Sequence, residues 1–204
     1  MYIKKISTKK YGTNCYLLSN DTTAIVIDPA EQDERILAFC EEHRDKEQKL
    51  ILLTHCHFDH IEAVSAVKEI WNCPLFIGEG DAEGLFDNRI NLSGYWSDTA
   101  VSLLPDMTLS DGELIECGDD SIEVLSTPGH TAGSVCYLLD DVLFSGDTLF
   151  YRSVGRTDLP TSDRIRLGAS LKRLTKLDKN PRVMPGHGPD TDIESEIDYN
   201  PYLS

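Results

Sequence analysis

Leu50-Ile51-Leu52-Leu53-Thr54-His55-Cys56-His57-Phe58-Asp59-His60 decides how this chain is read. Four apolar residues in a row are too few for a helix and suit a strand buried on both faces. The run stops at Thr54, and four side chains of metal-ligand type follow within six residues. Extended backbone there sends His55 and His57 to one side and Cys56 to the other, so the thiol reads as packing rather than as a nucleophile. Asp59 and His60 come after a turn and address a second point. Imidazole combined with carboxylate suits zinc, iron or manganese better than calcium or magnesium.

Three other segments repeat the pattern. Residues 122–125 lead into Ser126-Thr127-Pro128-Gly129-His130, residues 142–144 into Ser145-Gly146-Asp147, and residues 182–184 into Pro185-Gly186-His187. Each time an apolar strand stops, a glycine permits a tight turn, and a metal-type ligand follows. Five of the six histidines fall in these four segments; His43 alone lies elsewhere, among charges of both signs that read as surface. Strand ends gathered along one sheet edge are where α/β folds commonly build sites.

Outward from these segments, strands are expected at 2–6, 15–18, 24–27, 74–77, 113–115 and 135–139, with helices at 31–43, 61–71 and 162–176. Strands interrupted by helices predict an α/β layered fold with helices on both sheet faces. Residues 78–111, rich in Gly, Asp, Asn and Ser, read as a short helix plus loops near the mouth of a site. A polar tail closes the chain.

At 204 residues the prior is one domain, spanning 1–204. Nineteen basic against 35 acidic residues give a net charge of −16, which argues against nucleic acid and anionic lipid as partners. No apolar stretch is long enough for a spanning helix, and no apolar segment of signal-peptide type follows the basic start. The six cysteines form no CxxC pair or compact framework. Free thiols and a cytoplasmic location are expected.

The motif set resembles that of the metallo-β-lactamase-fold superfamily, whose first motif, HxHxDH, is here His55 through His60. The likeness runs from the opening strands to Gly186-His187-Gly188. It implies a four-layer αββα sandwich with metals at the sheet edge. It also implies one metal on His55, His57 and His130, a second on Asp59, His60 and His187, and Asp147 bridging them. All seven positions are filled. Two divalent ions follow from the resemblance, zinc first, with iron or manganese as alternatives.

Thr127-Pro128-Gly129-His130-Thr131-Ala132-Gly133-Ser134, then Ser145 through Phe150, then Gly155-Arg156-Thr157-Asp158 are similar to the glyoxalase II-like branch. Met184 through Pro189 is similar to its small single-domain bacterial members. The resemblance implies hydrolysis of a small-molecule thioester by a metal-bridging hydroxide that Asp59 orients. Aspartate at 147, where cysteine is expected in class B β-lactamases, points away from lactams. The alternative is a persulfide dioxygenase with one iron on the equivalents of His55, His130 and Asp147. A third, non-enzymatic reading, a metal-dependent binder, would tolerate loss of Asp59 or Asp147. Only a short stretch follows His187, so no C-terminal glutathione-binding helical domain is expected. Arg156 is the leading candidate for a substrate contact, with an ion pair to Asp158 as its competing role; Tyr151 and then Arg152 follow.

Overall fold

The computed structural model describes residues 1–203. Two six-stranded sheets face each other. The first, in the order β1-β2-β3-β4-β5-β6, is built from Tyr2–Ser7, Asn14–Ser19, Thr23–Ile27, Gln48–Leu53, Leu75–Gly78 and Met107–Leu109. Its first three strands are antiparallel, and β3 to β6 run parallel. In the second sheet β7 (Leu114–Cys117), β8 (Asp120–Ser126), β9 (Val135–Leu139) and β10 (Val142–Gly146) form an antiparallel meander. It continues through β13 (Arg182–Pro185), parallel to β10, to β14 (Thr191–Asp192). A hairpin of β11 (Leu149–Phe150) and β12 (Ser153–Val154) stands apart from both sheets.

Alternation along β4 explains the layers. Leu50 and Leu52 pack between the sheets with Ile25, Ile27, Tyr137, Phe144 and Met184. Ile51 and Leu53 face the opposite way, toward α1 (Glu34–Glu42) and α3 (Val64–Trp71), where Ile36, Phe39, Val67 and Trp71 meet them. The far face of the second sheet is covered by α5 (Arg164–Leu174) through Leu167, Leu171 and Leu174. A strand sandwiched on both faces must be apolar at every position, which is why the run at 50–53 shows no polar alternation. The expected αββα arrangement is therefore present.

Several boundaries differ from the sequence reading. The helix expected at 61–71 begins earlier and breaks: α2 (Phe58–Ile61) is a single turn, and α3 starts after Ala63, whose amide donates to the Pro29 carbonyl. The turn places Asp59 and His60 on helical backbone, with His57 still extended before it. The tail is not merely polar chain. It forms β14 and α6 (Ile193–Tyr199), anchored by Glu196, which is fully buried. Residues 78–111 contain a 3-10 turn, the one-turn helix α4 (Ser93–Trp96) and β6. All six cysteines are buried and unpaired. No helix among the described residues is long and apolar enough to cross a membrane.

Candidate metal centre

Four strands deliver the candidate residues to one edge. β4 ends before His55, β8 before the loop to His130, β10 before Asp147, and β13 before His187. The two sheets are stitched together there: Val135 donates its amide to Thr54, and Asn14 donates to Gly186 at 2.7 Å. Gly186 leaves no room for a side chain, since a Cβ on it would run into the Asp147 carboxylate.

The seven side chains named from the sequence converge. Donor atoms of His55, His57 and His130 lie within 4.8 Å of one another, as do those of His55, His60 and Asp147, and those of Asp59, His60 and His187. His130 Nε2 stands 2.9 Å from His57 Nδ1, and His60 Nε2 stands 3.3 Å from His187 Nε2. Asp147 lies between the groups, 3.4 Å from His60 Nε2 through one oxygen and 3.5 Å from His130 Nε2 through the other. Asp59 Oδ2 is 3.2 Å from His187 Nε2 and accepts from Thr13 Oγ1 at 3.5 Å.

Outer partners determine which ring nitrogens are free. The His130 Nδ1–H donates to the Arg156 carbonyl at 2.9 Å, and the His60 Nδ1–H donates to Asp28 at 3.0 Å. Thr54 Oγ1 gives its only proton to Asp28 at 2.7 Å, so it accepts from His55 Nδ1 at 3.0 Å. All three rings therefore commit Nδ1 outward and turn Nε2 toward the cluster, the arrangement a metal-binding histidine adopts. His55 Nε2, His57 Nε2 and the Asp147 oxygen nearest His60 are buried with no hydrogen-bond partner. Left bare, such atoms are costly; a cation answers them. The donor set of imidazoles and carboxylates suits a divalent metal.

Electrostatics point the same way. Burial, reinforced by the neighbouring imidazoles, holds His55 well below its ordinary value and brings His57 down to about 3, so both rings stay neutral. Burial would depress His60 too, yet the carboxylates of Asp147, Asp59 and Asp28 outweigh it and hold that ring well above the usual range. Burial would likewise lift Asp147, and the imidazoles of His60, His187 and His130 drive it well below instead. The pocket attracts positive charge.

The other candidates fare differently. Arg156 lines the cavity in front of the cluster, but its guanidinium is held by Asp158 through bonds of 2.6 and 2.7 Å. Tyr151 is half exposed, lies outside that cavity lining, and carries the Arg152 guanidinium over its ring at 4.8 Å. Arg152 itself is engaged by Glu196 and by Ser195 of α6. Cys56 is buried in the helix-facing core, opposite its histidine neighbours.

Two supporting acids were missed in the sequence. Asp28 had a readable signal, being a carboxylate that ends the apolar stretch 24–27. Asp81 had none. It accepts from the Cys56 amide, Thr131 Oγ1 and the Gly133 amide, and so ties the loop of His55 and His57 to the loop of His130. Burial lifts its carboxyl above the usual range despite these three donors.

Comparison with known proteins agrees with this geometry. The model of the metallo-beta-lactamase superfamily matches residues 8–187. A probable metallo-hydrolase of Bacillus subtilis (strain 168) is 37% identical over 196 residues, covering 94% of this chain and 92% of the relative. The crystal structure of BLEG-1 B3 metallo-beta-lactamase superposes with a TM-score of 0.90 at 35% identity, covering 100% of both chains. That of TTHA1623 in a di-iron-bound form gives 0.85 at 35% identity, covering 98% of this chain and 100% of the other.

Proposed function

Because the chain belongs to the metallo-beta-lactamase superfamily and carries a metal-binding His/Asp cluster, we propose that this metal-dependent hydrolase is glyoxalase II-like and cleaves a small thioester. In this reading His55, His57 and His130 would hold one divalent cation and Asp59, His60 and His187 a second, with Asp147, between the two groups, a candidate ligand to either. The observation that carries it is the convergence of three Nε2 atoms, each ring fixed from behind through Nδ1 by Thr54, Asp28 or the Arg156 carbonyl. When bound, a pair of divalent cations lowers the pKa of a water toward neutrality and polarises a carbonyl.

The chain's own groups account for the rest. Thr13 and His187 hold the Asp59 carboxylate from two sides, aligning it beside Asp147. Water adds to the acyl carbon and releases its protons to solvent, the carbonyl re-forms as the C–S bond breaks, and the products leave as a carboxylate and a thiolate. The conjugate acid of that thiolate has a pKa of about 8.5, so no proton donor is needed at the leaving atom. Among the described residues, the cavity lining contains no lysine, tyrosine or cysteine.

A lactam is the second acyl class to consider, because the B3 metallo-beta-lactamase superposes along the whole chain. The deciding experiment is elemental analysis of protein purified without added metal, followed by assays on a thioester panel and a chromogenic cephalosporin. Close to two metals per chain, zinc or a zinc–iron mixture, with thioester turnover supports the proposal. Close to one iron with oxygen uptake on glutathione persulfide overturns it in favour of a dioxygenase. Cleavage of the cephalosporin alone overturns it in favour of a lactamase. Asp59→Ala and Asp147→Ala are each expected to abolish nearly all turnover while circular dichroism stays unchanged. Full activity in both would remove the paired-cation mechanism.

A further inference from the structure

The cavity in front of the cluster, about 390 Å³, is lined by two groups of apolar side chains from separate parts of the chain. One group is Phe58, Leu92 and Trp96; the other, from the hairpin and the loop after it, is Phe150, Val154 and Leu159. Leu92 and Trp96 come from the motif-poor stretch at 78–111, and Leu92 is placed at the cost of backbone strain. Leu92 is buried yet sits in the left-handed region at φ 68°, where a branched side chain is disfavoured. It is pinned there by Asn91, whose side chain is fully buried and bonds Gly84, Val101 and the Ser93 amide. The Asn91 carbonyl accepts from the Phe58 amide at 2.8 Å, which couples this stretch to the turn carrying Asp59 and His60. Phe58 stacks edge-on against Tyr11 at 5.1 Å and lies 6.5 Å from Trp96.

Charge in the cavity is otherwise committed. Arg156 is paired with Asp158, and the described lining residues include no other lysine or arginine. The remaining ionisable groups belong to the candidate metal centre. An acyl group bearing its own carboxylate would find no unpaired cationic side chain outside that centre, whereas an apolar one would cover Trp96, which is otherwise 54% exposed.

We propose that this cavity selects a bulky, uncharged apolar acyl group, held against Trp96, Leu92, Phe150 and Leu159, over small hydroxyacyl or dicarboxylic ones. This deepens the thioester reading and rests on it. One methylene more or less in an apolar pocket changes kcat/KM by roughly 10- to 200-fold. Hexanoyl-N-acetylcysteamine is therefore expected to exceed its acetyl and succinyl counterparts by at least about 100-fold in kcat/KM. Trp96→Ala should cut the hexanoyl-to-acetyl ratio by about tenfold or more, while Tyr95→Ala, next in sequence but outside the lining, leaves the ratio unchanged.

A binding measurement separates this assignment from the reaction it serves. The chain has two tryptophans, and the other, Trp71, is buried with its indole N–H on the Cys40 carbonyl. Hexanoate added to the holoenzyme should shift the exposed Trp96 emission to the blue and shield it from acrylamide; succinate should not. The change should vanish in Trp96→Phe. If hexanoate shields Trp96 but no thioester is cleaved, the thioester reading falls and the apolar specificity of the cavity stands. If thioesters are cleaved with acetyl or succinyl at least as good as hexanoyl, and hexanoate leaves Trp96 unshielded, the specificity assignment is overturned and the hydrolase remains.

Discussion

The carboxylate of Asp28 touches no candidate metal atom, yet two of the three well-oriented imidazoles depend on it. One of its oxygens accepts from both His60 Nδ1 and Thr54 Oγ1, and Thr54 in turn supports His55. It also accepts the Thr54 amide at 2.8 Å, and its backbone is left-handed at φ 52°. Asp28→Asn keeps the shape but can offer an N–H where His60 needs an acceptor. The expected result is a loss of metal affinity or activity of about 10- to 100-fold, the usual cost of removing an outer partner of a metal-binding histidine. Chelator competition measured alongside secondary structure would check it. An unchanged affinity would mean that His60 finds its orientation from packing alone.

Among the elements, the hairpin of β11 and β12 has the least support of its own. Two residue pairs cannot hold a ribbon in water, and α6 supplies what is missing. Asn200, which caps α6, donates to the Ser153 carbonyl at 3.1 Å. Glu196 accepts from the Arg152 amide, the Arg152 guanidinium, Thr191 Oγ1 and Asn200 Nδ2. The hairpin carries Phe150 and Val154 to the cavity wall, so a helix beyond the last candidate ligand positions the substrate side of the site. Glu196→Ala strands four donors at a fully buried position and is expected to cost about 3 kcal/mol in denaturant unfolding. It should weaken hexanoyl binding as well. A variant with normal stability and normal hexanoyl KM would show that the hairpin holds its place without α6.

At the scale of the molecule, three separate apolar clusters lie between and outside the sheets, and the His/Asp cluster lies at their edge rather than within them. Metal removal should therefore lower thermal stability without unfolding the chain. Binding at a free concentration 100-fold above Kd contributes about 2.7 kcal/mol, which corresponds to about 5–10 °C for a chain of this size. Thermal melts with and without chelator would measure it, and a chelated chain that lost its sheet signal would refute it. The net charge of −16 adds a pH dependence to the chelated protein. Lowering pH from 8 toward 5 relieves self-repulsion and should raise Tm, less so in high salt. Below about pH 4 the sign reverses. Arg35 beside Asp33 and Lys68 beside Asp106 hold those carboxyls below their ordinary value. Their contribution is complete above the unfolded value and is lost as pH falls through the folded one. A monotonic fall in Tm from pH 8 to 5 would contradict the repulsion argument.

Local chemistry made the layered fold and the convergence on one edge legible before any coordinates. A four-residue apolar run ending in His55-Cys56-His57 can be little else than a strand buried on both faces, and the glycines at 129, 146 and 186 mark three more strand ends. Periodicity of this kind is set by near neighbours, so a linear reading recovers it. The break between α2 and α3 was hidden because it depends on an amide reaching Pro29. Asp81 was hidden because its three donors come from positions 56, 131 and 133. Arg156 could be a free cation or half of an ion pair until the fold set Asp158 against it. The apolar pair Leu92 and Trp96 arises in a polar, motif-poor stretch and takes on meaning only where the fold brings it into one cavity lining with Phe150 and Leu159, more than fifty residues away. Ligand type and strand order are properties of short segments. Partnership, burial and the shape of a cavity are made by residues that meet only when both sheets have closed on each other.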